Sequence, residues 1–478
     1  MAAAEHISTP LHAVLPRPQA LVVDRLARVF SDAGQDLVLV GGIVRDLLLR
    51  LKRTSDLDFA TNAHPEATEK LGLLAGADSV FLVGARFGTV GLVFPTDDSS
   101  QTITVQITTY RAEHYPHETR HPEVAFGETL EDDLSRRDFT VNAMAADPLT
   151  GSLIDPFDGQ ADLAMGIIRA VGDPDKRFQE DPLRLLRAAR FVSQLGLVVE
   201  PATAAAMVRQ ASLLTRISRE RIYAELTQLL IGQYASHGLE TLHAARLFEV
   251  VLPEIGYLPD QSPVPGEPHM EKDLWEHTKR VVDRSPPRPI VRWAALLHDA
   301  AKPRTRSVSP AGEVHFFGHE GEGEQIARQI LTRLSADRAT QTAVRHIVEL
   351  HGRPQTYEES WTDSAVRRLM LDAGNSLDDL LDLAASDVTS ARAERQQLAR
   401  NRIGALRSHI ERLEAQRALA EYQSPLDGQE LMALFDRPPG RWIAEIKDHL
   451  RELVIDGELE PGDKDRAATI ARRIVAAN

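Results

Sequence analysis

Residues 37–61 read LVLVGGIVRDLLLRLKRTSDLDFAT and hold two aspartates one residue apart, Asp56 and Asp58, downstream of Gly41, Gly42 and Arg45. Along an extended strand alternate side chains share a face, so both carboxylates would point one way and Leu57 the other. Two carboxylates held that close suit a hard cation, and Mg²⁺ with water and phosphate oxygens completing its shell is the expected ligand. Gly41-Gly42 follow the apolar strand candidate Leu37 to Val40, where glycine lets the backbone turn tightly and approach a ligand. The stretch Ile43 to Leu51 has helical periodicity with Arg45 and Asp46 in its first turn, and backbone N–H groups at a helix start favour an anion. A cation site beside a triphosphate cradle points to nucleotidyl transfer, the in-line attack of a hydroxyl on an α-phosphorus with pyrophosphate leaving. The expected unit is short and βαβ-like. Taken singly, a glycine pair is also a plain turn and an Asp-x-Asp a solvated loop.

The elements around this unit read as an α/β head. Residues 1–20 are expected to be a loose tail and 21–150 the head, with strands around Phe81 to Val83, Thr89 to Phe94 and Ile103 to Thr108. Residues 151–256 are almost entirely helical in pattern. The proline- and glycine-rich stretch 257–270 reads as a linker, 271–418 as a second helical block, and 419–478 as a helical tail broken at Pro438-Pro439-Gly440. At 478 residues several cores are expected. The chain has no cysteine, which excludes disulfides and thiolate metal sites, and no apolar run long enough for a membrane span or a secretory signal, so a cytoplasmic protein is expected. A net charge of −15 argues against a nonspecific nucleic-acid coat protein. It leaves room for a local basic groove, for which Arg169, Lys176, Arg177, Arg184, Arg187 and Arg190 are candidates.

Further motifs follow in order: Gly84 to Val90 (GARFGTV), Thr108-Thr109-Tyr110-Arg111, Arg136 to Met144 (RRDFTVNAM), Asp155 to Gly159 (DPFDG), Glu180 to Ala188 (EDPLRLLRA) and Glu220 to Glu225 (ERIYAE). This series resembles the bacterial class II tRNA nucleotidyltransferase and poly(A) polymerase family, most closely its CCA-adding members with an HD domain, from about residue 20 to about residue 390. The resemblance implies an α/β nucleotidyltransferase head with a mixed β-sheet and flanking helices, an all-α neck and body, an HD helical domain and a helical tail. It implies template-independent addition or repair of the 3′-terminal CCA of tRNA from CTP and ATP, with Mg²⁺ as cofactor. By the same resemblance Arg137 contacts the triphosphate and Asp138 the ribose hydroxyls, with Asn142 in support. Asp181 and Arg184 would read the Watson–Crick edges of CTP and ATP, and Arg187 would orient them. Spacing agrees, since residues three apart on a helix share a face. Two local readings stand beside these: Asp138 as the cap of a helix starting at Phe139, and Asp181-Pro182 as a helix start. Relatives usually carry an acid where Gln106 stands, so the metal shell departs from the family there. Gly88-Thr89-Val90 after Arg86-Phe87 favours the CCA-adding form over a poly(A) polymerase. A CC- or A-adding specialist would differ in a flexible loop expected between Arg111 and Phe126.

A second site is expected in the helical block. His277, His298, Asp299, His319, His351 and Asp387 follow the order of HD-domain phosphohydrolases, and LLHDAAKP (296–303) is similar to that family's LLHDIGKP. Imidazole with carboxylate suits Mn²⁺, Fe²⁺, Ni²⁺ or Zn²⁺, and a metal-bound water would attack a phosphate ester. Satisfied core histidines without metal are the alternative, with His315 and His346 competing for the ligand roles. From another class, the chain would be an HD phosphohydrolase with a degenerate head. The sequence leaves the oligomeric state open.

Overall fold

The computed structural model describes residues 15–51, 57–83, 88–96, 102–114, 123–126, 129–258, 274–311, 313–388, 393–416 and 423–477. Asp56 and most of the 257–270 segment lie outside them. The chain divides into two compact units, residues 1–218 with 240–251 and residues 219–239 with 252–478.

The first unit opens with helix α1 (Arg17–Asp32), which begins inside the stretch expected to be a tail. Ala20, Val23, Ala27 and Phe30 recur at helical spacing and are buried. Strand β1 (Val38–Val40), helix α2 (Gly42–Leu48), β2 (Leu57–Thr61), α3 (Pro65–Leu74), β3 (Ser79–Val83), β4 (Thr89–Pro95) and β5 (Thr102–Thr109) follow. With β8 (Ala145–Ala146) and β9 (Leu153–Ile154) they build one seven-stranded sheet in the order β3-β4-β5-β2-β1-β8-β9. The sheet is mixed: β2 and β5 are parallel, and the other neighbours antiparallel. Because β1 and β2 are antiparallel, the unit they form with α2 is not a βαβ crossover, in which the strands would be parallel.

Where a flexible loop was expected, β6 (Arg111–His114) and β7 (Glu123–Phe126) pair antiparallel. The residues between those strands lie outside the description. Helices α4 (Leu130–Ser135), α5 (Gly159–Met165), α6 (Pro174–Glu180) and α7 (Arg184–Leu195) follow; α7 carries Arg184 and Arg187, while Arg137, Asp138, Asn142 and Asp181 stand in the segments between helices. A two-residue parallel strand pair, Ile167–Ile168 with Val198–Val199, interrupts the helical stretch.

The second unit is helical. Its helices include Leu274–Arg284, Pro289–Leu297, His319–Arg333, Arg338–Leu350 and Leu377–Ser386, with a short hairpin of Ser307–Val308 and Val314–His315 that the helical pattern did not announce. Three terminal helices, Gly428–Phe435, Arg441–Ile455 and Lys464–Ala477, pack around Leu431, Ile446, Leu450, Val454 and Ala471. Among the described residues no helix is long and apolar enough to cross a membrane.

Candidate functional site

Strand β5 alternates along its length: Val105, Ile107 and Thr109 are buried, while Gln106 and Thr108 take the opposite face. The parallel register with β2 sets Asp58 beside Gln106 and Ala60 beside Thr108. Asp58, Gln106 and Thr108 thereby line a cavity of about 740 Å³ whose wall also includes Arg137, Asp181 and Arg184.

The arginines of this cavity are fixed from behind. Arg137 Nη2 donates to Asp133 Oδ2 at 3.1 Å, one helical turn earlier. Its other terminal nitrogen fills the space a side chain at position 41 would need, because a Cβ on Gly41 would lie 2.8 Å from Arg137 Nη1. Gly41 also adopts φ +76°, a conformation that favours glycine. Arg184 Nη2 donates to the Arg136 carbonyl at 2.7 Å, and its Nη1 to the Arg177 carbonyl at 2.9 Å and Glu180 Oε2 at 2.7 Å. Arg177 reaches the same Glu180 oxygen at 2.8 Å. Asp181 accepts the Leu183 N–H at 3.1 Å and lines the cavity, but α7 begins at Arg184 with Leu183 at its cap, so the helix start expected at Asp181-Pro182 falls two residues later.

Arg45, Asn142, Asp138 and Arg187 form a buried chain of hydrogen bonds. Arg45 Nη1 donates to Asn142 Oδ1 at 2.6 Å, and Asn142 Nδ2 donates to Asp138 Oδ1 at 3.1 Å. The Phe139 N–H reaches that oxygen at 2.8 Å, while Arg187 Nε and Nη2 hold Asp138 Oδ2 at 2.7 and 2.6 Å. Burial pushes the Asp138 carboxyl up, but the Arg187 charge and the hydrogen bonds from Asn142, Arg187 and Phe139 hold it below the ordinary aspartate range. The turn that follows Asp138 is the 3₁₀ segment Thr140–Asn142, not an α-helix. The guanidinium carbons of Arg45, Arg187 and Arg190 lie 5.3, 5.4 and 4.6 Å from the Phe191 ring centre, an aromatic anchor that the sequence reading missed. Asp133 was missed as well, although its spacing of four from Arg137 was a usable signal. The Gly41 N–H is donated to the Met144 carbonyl at 3.4 Å, and α2 is only seven residues long, so the cradle expected at its start is smaller than the periodicity implied.

In the second unit all six predicted residues come together. His277, His298 and Asp387 form one donor set and Asp299, His319 and His351 another. Asp299 lies between them: its Oδ2 is 3.1 Å from His277 Nε2 and 3.3 Å from His298 Nε2, and its Oδ1 is 3.6 Å from His351 Nε2 and 3.8 Å from His319 Nε2. His298, His319 and His351 each place Nδ1 on the carbonyl three residues earlier, Ala295, Phe316 and Val348, at 2.9, 2.8 and 2.7 Å. A carbonyl only accepts, so those Nδ1 atoms carry hydrogen and the Nε2 lone pairs face the cluster. Burial pushes His277 down, but hydrogen bonds to Asp299 and Asp387 and their charges lift it above the usual imidazole range. Burial, with His351 adding, pulls His319 below that range. His277 Nδ1 and Asp299 Oδ1 are buried without a hydrogen-bond partner. His315 and His346 belong to neither set.

Three family models match in chain order: the poly A polymerase head domain over residues 37–169, the probable RNA and SrmB-binding site of polymerase A over 196–258, and the HD domain over 272–392. The chain is 34% identical over 450 residues to the A-adding tRNA nucleotidyltransferase of Deinococcus radiodurans, covering 90% of this chain and 94% of that protein. It is 41% identical over 224 residues to the CCA-adding enzyme of Bacillus subtilis, a match that spans 46% of this chain and about half, 53%, of that relative. The solved structure of the Bacillus stearothermophilus CCA-adding enzyme in complex with CTP superposes with a TM-score of 0.68 at 27% identity, covering 97% of this chain and 99% of that one.

Proposed function

We propose, for a chain that belongs to the tRNA nucleotidyltransferase and poly(A) polymerase family, that it builds or repairs the 3′-terminal CCA of tRNA from CTP and ATP without a nucleic-acid template, releasing pyrophosphate. The observation that carries this reading is the register that sets Asp58 beside Gln106 in a cavity walled by Arg137, Asp181 and Arg184. The donor chemistry fits a divalent cation, since Asp58 faces a polar cavity built to receive phosphate, and Asp56 and Asp58 are the proposed Mg²⁺ ligands. Bound Mg²⁺ supplies acidification of the attacking 3′-hydroxyl and neutralises charge on the triphosphate.

The chain's own residues do the rest. Arg137, backed by Asp133, offers the phosphates a fixed cation. Asp181 and Arg184, with the guanidinium held by two backbone carbonyls, offer hydrogen bonds to the base edge in place of a complementary strand. Gly41 and Gly42 let the backbone close on that wall, and the Arg45–Asn142–Asp138–Arg187 chain keeps it from shifting. Asp138 keeps its assigned place near the ribose only by adding that contact to those it already accepts from Phe139, Asn142 and Arg187. We assign the head to residues 21–150, the neck to 151–256, the linker to 257–270, the HD domain to 271–418 and the tail to 419–478, in the cytoplasm, where its tRNA substrate would be met.

For the second unit we propose a metal-dependent phosphohydrolase site. The three imidazoles fixed through Nδ1, together with the orphaned Asp299 Oδ1, fit a transition metal of the Mn²⁺, Fe²⁺, Ni²⁺ or Zn²⁺ class held by His277, His298, Asp299, His319, His351 and Asp387. Such a metal supplies an activated water for attack on a phosphate ester.

The test of the main reading is product length on tRNA lacking its last three nucleotides. CTP alone should extend the tRNA and stop short, and CTP with ATP should complete CCA. Extension by ATP of a tRNA already ending in CC, with CTP never used, would instead place the activity with the A-adding relative.

A further inference from the structure

The hairpin ahead of His319 carries an aromatic pair that the cluster itself does not use. His315 pairs with Ser307 and Val314 with Val308; the strand ends there, and Phe317 sits in the turn that leads into His319. The rings of His315 and Phe317 are stacked, with centres 4.9 Å apart and planes inclined by 15°. Phe317 is nevertheless 77% exposed, so His315 supports one side of the ring and most of the rest meets solvent.

Phe316 ties this pair to the cluster through both its backbone and its ring. Its carbonyl accepts the Nδ1–H of His319 at 2.8 Å, and the Lys302 ammonium sits 5.7 Å from its ring centre. Lys302 Nζ in turn lies 2.7 Å from Asp299 Oδ2. Phe317 precedes His319 by two residues, a Cα separation of at most about 8 Å. An exposed flat ring, the Lys302 ammonium and a donor set that suits a metal ion therefore lie along one short path.

We propose that the His315–Phe317 pair is a stacking ledge for a nucleobase and that the histidine–aspartate site takes a nucleoside phosphate, with the base on Phe317 and the phosphate beside Asp299, His319 and Lys302. The proposal rests on the phosphohydrolase reading for the position of the phosphate, not for the existence of the ledge. The ligand chemistry is shared by a free nucleotide and by the terminal nucleotide of an RNA.

The full-length chain with Phe317→Trp gives a local reporter, read against the wild type with its four tryptophans. With Mn²⁺ held constant, adenosine 2′-monophosphate should quench the added fluorescence, whereas ribose 5-phosphate, which has no base, should not. A short oligoribonucleotide ending in a 2′,3′-cyclic phosphate distinguishes the sources: quenching at lower concentration than the mononucleotide assigns the ledge to RNA ends, and the reverse order to free nucleotides. In calorimetric titrations Phe317→Ala should weaken adenosine 2′-monophosphate about tenfold, the scale of one base on one aromatic ring, and leave ribose 5-phosphate unchanged. Equal weakening of both ligands, or no quenching in the tryptophan variant, overturns the ledge even if the protein hydrolyses phosphate esters. Base-dependent quenching without hydrolysis of any ester leaves the ledge standing and removes the phosphohydrolase reading instead.

Discussion

The cavity of the first unit and the cluster of the second are both polar and partly buried, but they reach electrical balance in opposite ways. In the cavity, Arg137, Arg177 and Arg184 each reach a carboxylate or carbonyl of the protein itself. In the cluster, imidazole nitrogens crowd together, with His277 Nε2 3.1 Å from His298 Nε2 and two carboxylates alongside. Two imidazole nitrogens facing one another share a single proton at best, so this arrangement is balanced by an added positive charge. A wall of internally paired charges keeps its shape without its ligand and then selects among ligands. A converging set of lone pairs is defined by the cation that it takes up.

The largest effect that tests this contrast is in the cluster. Replacing His298 and Asp299 together by alanine should abolish both stoichiometric transition metal, read by elemental analysis, and phosphate-ester hydrolysis. Extension of tRNA should persist within about twofold, because the lost charge belongs to the other site. Metal retained by the double variant would remove the contrast. In the cavity, Asp58→Ala should lower nucleotide addition on the order of a thousandfold, as loss of several kcal/mol of metal-dependent stabilisation implies. Its thermal unfolding should stay near that of the parent, and near-normal addition in Mg²⁺ would refute the ligand assignment. Arg184→Ala should alter choice more than speed, relaxing preference for CTP and ATP over UTP and GTP about tenfold, since a lost hydrogen-bond partner is worth about 1–3 kcal/mol. Unchanged discrimination would reduce Arg184 to the scaffold role that its bonds to the Arg136 and Arg177 carbonyls already describe. The smallest effect is expected from Gln106→Glu, which should lower the Mg²⁺ concentration needed for half-maximal addition a fewfold by placing a second acid beside Asp58. No change would mean that the cation shell is complete without position 106.

Elements with a clear period were legible from the sequence. The strands found at Ser79–Val83, Thr89–Pro95 and Thr102–Thr109 stand where β-branched alternation put them, and the helices after Asp427 break at the prolines. The gathering of the histidines was legible through motif order. The network behind the cavity was not, because Arg45 finds Asn142 across 97 residues and Asp138 finds Arg187 across 49, and no local pattern encodes such pairings. Two-residue strands such as Ile167–Ile168 are too short to show a period, and the direction of β2 relative to β1 depends on the closing of the whole sheet. The donors that hold the buried Asp138 carboxylate, from Phe139, Asn142 and Arg187, are spread over the chain in the same way, and only the Phe139 N–H beside it was foreshadowed by the local reading of Asp138 as a cap.

One backbone device recurs at His298, His319 and His351, each tethered through Nδ1 to the carbonyl three residues before it. Rings steered in this way are already turned inward before any ion arrives, so loading involves no search among rotamers for these three residues. Stripping and refilling the site should then proceed on the timescale of ion diffusion and dehydration, without the slow phase of a site that must first fold around its metal.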